Sequence, residues 1–277
     1  MKISVIMSAY NAQNTIRRAI RSVLNLTYKD VELIVVNDCS TDDTEKIIKK
    51  YKDNRIVYIK HDVNLGAGCA RNTGIKHATG DYIAFLDSDD YYNKEYLQTM
   101  ANGTDDGKFD IVSSGYIVIE GKHKKTKKPT ARKVYGNNYV KDDSGTIHFL
   151  NVQLIKRSLF DNVEYCKRRF IEDSSTFVKL LYYAKNRNIL NYAGYNYVQN
   201  PNSLIHSSSE YKKYLYNLLC AKDTHLFFIQ VGHQEMYDFG LFLLKVLSMN
   251  TPKKEDGFEE ERKEIMEYII KCFNSII

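Results

Sequence analysis

No stretch of this 277-residue sequence approaches the roughly 20 consecutive apolar residues that a membrane-spanning helix requires. The nearest candidate, Phe239 to Leu247, is about half that length and is interrupted by Lys245. The opening residues Met1-Lys2-Ile3-Ser4-Val5-Ile6-Met7 are too few and too quickly polar for the core of a signal peptide, and they read as a buried first strand. Cysteine is also sparse. Its five occurrences (Cys39, Cys69, Cys166, Cys220, Cys272) are odd in number, scattered and without C-x-x-C spacing, which argues against a disulfide framework and a thiolate zinc site. A cytoplasmic protein, or one resting on the inner face of the membrane, is expected, and the sequons at Asn25 and Asn102 are then chance matches. No internal repeat is present. With 43% hydrophobic and 27% charged residues, the chain is neither disordered nor fibrous.

The net charge of +6 is concentrated in Lys122-His123-Lys124-Lys125-Thr126-Lys127-Lys128 with Arg132 and Lys133. Such a run is either a solvated loop or a contact for anionic lipid head groups or a phosphorylated acceptor. It lacks the interleaved aromatics that stack on bases, which argues against nucleic acid.

Along the first hundred residues, strand and helix signals alternate. Lys2 to Met7, Leu33 to Val36, Ile56 to Ile59 and Tyr82 to Leu86 are short apolar runs. Between them lie Asn14 to Leu26, with Ile16, Ala19, Ile20, Val23 and Leu24 on one helical face, a helix opened by Ser40-Thr41-Asp42, and Ala70 to Ala78. This alternation predicts a Rossmann-type, mainly parallel sheet flanked by helices. Beyond Met100, Asp110 to Glu120 is extended, a helix starts near Asp173, Ile189 to Tyr197 is a strand, and residues 209–277 form a helical extension to a catalytic unit of residues 1–208. That extension is a candidate surface for self-association.

Ligands of open parallel sheets bind at the carboxyl ends of the strands. A polar cluster follows each of the first four strands: Ser8-Ala9-Tyr10-Asn11, Asn37-Asp38-Cys39-Ser40, Asn64 to Arg71, and Asp87-Ser88-Asp89-Asp90. Three carboxylates within four residues repel one another, so a bound cation is their natural compensation, and oxygen ligands suit Mn²⁺ or Mg²⁺. Asp90 is alternatively a cap for the helix that follows. Asp38 could accept the N–H of a pyrimidine that Tyr10 flanks, or cap the next helix, although Ser40 is better placed for that. Arg71, behind Gly66 and Gly68, could pair with phosphates or form an internal ion pair.

The motifs S-A-Y-N (8–11), N-D-C-S-T-D (37–42), N-L-G-A-G-C-A-R-N-T-G (64–74) and F-L-D-S-D-D (85–90) together resemble the nucleotide-binding half of the bacterial, inverting family 2 glycosyltransferases of GT-A fold. The resemblance implies that Ser8, Tyr10, Asn11, Asp38, Asn64, Arg71, Asp87 and Ser88 meet a nucleotide-sugar donor, UDP-linked by the fit of Asp38 to uracil. It also implies that Asp87 and Asp89 serve a divalent metal and that Asp173, with Glu172, supplies the general base. The acceptor would be a glycan, glycolipid or glycoprotein. Where many relatives carry an arginine, Val198 or Gln199 stands here, so Gln199, Ser203 or His206 would supply the missing contact, with His206 a candidate metal ligand.

Two other enzyme classes fit poorly. Nucleotidyl transfer expects glycine and arginine directly after the first strand, and Ser8 to Asn11 contains neither. A dehydrogenase fingerprint fails because Arg71 takes the third glycine position of the motif begun by Gly66 and Gly68. A degenerate scaffold is disfavoured by the intact D-x-D and E-D pairs.

Overall fold

The computed structural model describes residues 1–136, 149–165, 172–199, 209–232 and 256–274. β1 (Ile3–Ala9) pairs in parallel with β2 (Val31–Asn37) and β4 (Tyr82–Phe85), and β2 with β3 (Ile56–Lys60). The apolar runs of β1, β2 and β4 are continuous because both faces of these strands are covered, whereas β3 at the sheet edge leaves Val57 exposed. Val5 and Met7 of β1 enter one core with Ile16, Ala19, Ile20 and Val23 of α1 (Ile16–Leu24) and Leu97 and Met100 of α4 (Tyr96–Asn102). Ile6 points the other way, into a second core with Ala70 of α3 (Ala67–His77) and Phe177 and Leu180 of α5 (Glu172–Tyr183). The short α2 (Thr44–Ile48) begins where Asp42 Oδ1 accepts the Thr44 N–H at 2.9 Å.

The second half of the sheet is mixed. β9 (Gln153–Lys156) enters antiparallel between β4 and β6 (Ile111–Glu120), and β6 pairs in parallel with the thirteen-residue β10 (Asn186–Val198). β5 (Tyr91–Tyr92) closes the far edge against β10. The carboxyl ends of β1 to β4, β6 and β10 therefore all lie at one end of the sheet.

The lysine run does not form a loop. His123–Lys127 is strand β7, antiparallel to Tyr116–Glu120, and Arg132–Tyr135 is β8, paired with the start of β10. Every residue of β7 is exposed, and a lysine-rich edge keeps such a strand from pairing with another chain. Gly115 permits the hairpin, since a Cβ there would fall on the carbonyl oxygen of Lys127.

At the opposite end of the sheet, Glu32 is a polar anchor. It takes Lys2 Nζ at 2.8 Å, Ser4 Oγ at 2.6 Å and the Thr79 N–H at 2.7 Å. Burial pushes its carboxyl up, but Lys2, Ser4 and Thr79 outweigh burial and hold it at about 2.

The helical tail begins with α6 (Glu210–Gln230), capped by Ser209 Oγ on the Lys212 N–H, and ends with α7 (Glu259–Asn274). Leu215, Leu219, Ile265 and Tyr268 form their shared core, and Phe227 and Phe228 of α6 pack edge-on against Tyr182 of α5. No described helix is long and apolar enough to cross a membrane.

Candidate active site

The loops leaving β1 and β2 are tied together. Ser40 Oγ accepts the Asn11 N–H at 3.0 Å, and Asn11 Oδ1 accepts the Thr41 N–H at 2.8 Å. Asn11 and Cys39 both adopt positive φ, 48° and 62°, a conformation that L-residues tolerate poorly and that concentrates at functional sites. Beside them Ser8 is half-buried and Tyr10 is 50% exposed, a free aromatic face on the rim.

Asp38 lies buried beneath the loop that precedes α3. Its Oδ1 receives His61 Nδ1 at 2.7 Å and the Leu65 N–H at 2.9 Å, and its Oδ2 receives the Gly66 N–H at 2.7 Å. Three donors thus occupy the carboxylate, and the Leu65 and Gly66 amides that a phosphate would otherwise meet are directed at it. Gly66, at φ 91°, makes the turn that allows this. Asn64 is half-buried in the same loop.

Arg71, on the first core-facing turns of α3, is buried and points at carboxylates. Its Nη2 donates to Asp87 Oδ1 at 2.7 Å, its Nη1 stands 3.6 Å from Asp173 Oδ1, and its guanidinium lies 5.1 Å from the ring centre of Tyr165. Tyr165 donates its hydroxyl to Asp173 Oδ1. The backbone of Tyr165 is pinned to α3 by reciprocal bonds with the Asn72 side chain, both 2.8 Å. One arginine therefore joins the aspartate after β4 to the aspartate that opens α5, although 86 residues of sequence (173 minus 87) separate them.

The carboxylate oxygens of Asp87, Asp89 and Asp90 converge within 4.8 Å. Burial pushes the Asp89 carboxyl up to about 6, helped by repulsion from Asp87. Asp90, 1% exposed, is raised too, by burial first and then by Asp87 and Asp89. Asp90 caps no helix. Its Oδ1 accepts the Val198 N–H at 2.7 Å, and its Oδ2 accepts the hydroxyl of buried Tyr195. Asn151 Nδ2 bridges Asp87 Oδ2, at 2.7 Å, and the Tyr195 oxygen, at 3.1 Å. Among the described residues Asp89 has no side-chain donor of this kind, and it is half-buried beside Ser88.

An oxygen-only set of three mutually repelling carboxylates, one with its pKa raised to about 6, is the donor chemistry of a hard divalent cation. Asp89 is the carboxylate best placed to hold it, with Asp87 oriented by Arg71 and Asn151. His206 lies outside the described residues, and Glu172 is described only as the first residue of α5.

Sequence reasoning missed Asn151, Tyr165 and Tyr195. Tyr195 lies inside the Ile189 to Tyr197 strand signal, which does not single it out, and Asn151 and Tyr165 sit in irregular segments where no periodicity marks them.

The family profile described as "Glycosyl transferase family 2" matches residues 4–170. Over 116 residues, 42% of this chain and 46% of the relative, the sequence is 52% identical to the UDP-Glc:alpha-D-GlcNAc-diphosphoundecaprenol beta-1,3-glucosyltransferase WfaP of Escherichia coli. It is 32% identical to the uncharacterized glycosyltransferase EpsJ of Bacillus subtilis over 215 residues, 73% of this chain and 62% of that one. The chain covers only 17% of the glycosyltransferase GlyA of Streptococcus pneumoniae, so it spans less than half the length of GlyA or of WfaP. In three dimensions it resembles S. aureus TarS residues 1–349 in complex with UDP-GlcNAc, with a TM-score of 0.68 and 25% identity over 80% of this chain and 66% of that one.

Proposed function

Since the chain belongs to glycosyl transferase family 2 and is a glycosyltransferase of GT-A-like fold, we propose that it transfers a sugar, with inversion, from a UDP-linked donor to a sugar carried on a lipid diphosphate. The observation that carries the mechanism is the contact of Arg71 with both Asp87 and Asp173. It sets a candidate general base beside a candidate metal and diphosphate site. The UDP donor is supported by the names of two E. coli relatives and by the UDP-GlcNAc bound to TarS, and the lipid diphosphate by the same two names.

In this reading Tyr10 flanks the base, and Asp38 acts chiefly by fixing the loop with Leu65 and Gly66, leaving Oδ2 one further lone pair for a pyrimidine N–H. Ser8, Asn11, Asn64 and Ser88 line the same crevice. Asp89 and Asp87 would hold Mn²⁺ or Mg²⁺, which when bound neutralises the charge that develops on the leaving diphosphate. Asp173 takes the proton of the acceptor hydroxyl as that oxygen attacks the anomeric carbon. Arg71 and the Tyr165 hydroxyl fix its orientation. The lysines of β7, at the catalytic end of the sheet, suit the anionic surface of the membrane that carries the acceptor. Residues 1–208 would form the catalytic unit, and the helices Glu210–Gln230 and Glu259–Asn274 would belong to an appended unit that serves self-association.

Thermal shift across nucleotide sugars, with and without Mn²⁺, tests the donor and the metal together. Metal-dependent stabilisation by a UDP-sugar is expected, and stabilisation by none of the panel rejects the reading. Asp173→Asn should abolish transfer yet keep that stabilisation; near wild-type turnover would remove Asp173 as the base.

A further inference from the structure

A cleft of about 890 Å³ runs along α1 on the face opposite α3, and its walls carry Arg17, Arg18, Arg21, Lys29 and Lys94 with no carboxylate. Among the described residues several other surface cations sit beside acids, as in Lys46 with Asp43, Lys60 with Glu45 and Arg55 with Asp53, whereas the exposed lysines of β7 do not. None of the five cleft cations forms a salt bridge among the described residues. Lys29 Nζ donates to the Leu26 carbonyl at 2.7 Å, and Arg18 donates to the Asp89 carbonyl and stacks 5.0 Å from the ring centre of Tyr91.

The placement also runs against local preference. Arg17 and Arg18 occupy the first turn of α1, which holds no acidic residue, although the positive end of the helix dipole disfavours cations there. Sequences break such local rules where another requirement overrides them.

We propose that this cleft binds the diphosphate of the acceptor substrate. The inference rests on the reading of that acceptor as a sugar linked to a lipid diphosphate. In such a molecule the anion is attached to the same ring that carries the attacking hydroxyl, so its site must begin beside the reaction centre. Arg18 meets that condition, because its guanidinium reaches the backbone of Asp89 while the rest of the cleft leads away along α1. Guanidinium forks match phosphate oxygens in pairs, and a concave site with three arginines selects a discrete anion. The lysines of β7 differ in kind: they lie along an exposed edge strand and suit a diffuse charged surface.

The test compares two acceptors, a GlcNAc diphosphate on a short soluble alkyl chain and the neutral alkyl glycoside of GlcNAc. The enzymes are the full chain and its variants Arg17→Ala/Arg21→Ala and Arg17→Lys/Arg21→Lys. The alanine pair should raise KM for the diphosphate acceptor about tenfold or more, leave KM for the donor and for the neutral glycoside unchanged, and be partly rescued by the lysine pair. An equal rise for both acceptors, or none for either, overturns the proposal. So does loss of binding to phosphatidylglycerol vesicles with an unchanged KM for the diphosphate acceptor, which would assign the cleft to bilayer head groups. Should the wild-type chain use neither acceptor, the acceptor reading fails by itself. Calorimetry with inorganic pyrophosphate in EDTA then decides the cleft: binding that the alanine pair abolishes supports a diphosphate site, and absence of binding overturns it.

Discussion

Replacing Arg71 tests whether the two halves of the site are coupled. Arg71 is 5% exposed, 2.7 Å from Asp87 and 3.6 Å from Asp173, with its guanidinium over Tyr165. Removing one member of a fully buried ion pair costs about 3–5 kcal/mol. Asp87 and Asp173 keep 33% and 21% of their side-chain surface, so water screens both charges once the arginine is gone, and about 2 kcal/mol is the better figure. At about 2–4 °C per kcal/mol, Arg71→Ala should lower Tm by about 4–8 °C near neutral pH. Arg71→Lys keeps the charge and most of the volume, but one ammonium cannot reach both carboxylates as a planar fork does. Its Tm should fall less, while kcat falls about a hundredfold, the usual consequence of misplacing reacting groups by about 1 Å. Differential scanning fluorimetry and a UDP-release assay at saturating donor and Mn²⁺ read the two effects. A lysine variant within twofold of wild-type kcat, at any Tm, would refute the coupling.

Three further outcomes are expected. Because Asp89 titrates near 6 without a metal, protons compete with the cation below that value, and Mn²⁺ affinity measured by calorimetry should fall about tenfold from pH 7 to pH 5; a flat profile would exclude Asp89 as a ligand. Glu32 is held at about 2, below its ordinary 4.5, so its stabilisation is complete above about pH 4.5 and is lost as pH falls towards 2. Glu32→Gln should therefore unfold about 2–3 kcal/mol more easily at pH 7 in urea, with the difference vanishing near pH 2, and a gap that persisted there would contradict the assignment. Gly115→Ala should push β7 off β6 at Lys127 and cost about 1–3 kcal/mol, seen as faster hydrogen exchange at Ile117 and Ile119; unchanged protection would mean that the hairpin accommodates the methyl group.

The first hundred residues of the fold were legible because their local signals agree with one another. β1 to β4 are short apolar runs, α1 has a clear 3.6-residue period, and each polar cluster expected after a strand lies at the carboxyl end of that strand. Beyond Met100 local pattern and tertiary pairing diverge. Gln153–Lys156 is four residues long and carries a charge, and it becomes a central strand because β4 and β6 leave a gap between them that it fills. His123–Lys127 has no apolar residue at all, so no periodicity could identify it; it is a strand because β6 extends past β9 and offers a free edge. At the site, Asp38 shows the same limit in reverse. Its type and position suit a base contact, yet His61 and the amides of Leu65 and Gly66, all distant in sequence, take up most of its capacity.

Burial divides labour within the acidic cluster in a way that residue type alone does not. Asp90 is enclosed, raised in pKa by burial and by its neighbours, and bonded to Val198 and Tyr195, so it joins β10 to the loop after β4 and has little freedom to take a ligand. Asp87 is held from both sides, by Arg71 of the first half and Asn151 of the second. Asp89 has no side-chain donor among the described residues, and burial and the charge of Asp87 outweigh its own backbone amide and Arg18, which is the condition a cation relieves. The tyrosine and asparagine that create this division come from segments with no motif of their own. The firmest motif in the sequence is therefore completed by residues that only the folded chain brings to it, and a change at Tyr195 or Asn151 acts on Asp87 and Asp90 while leaving Asp89 untouched.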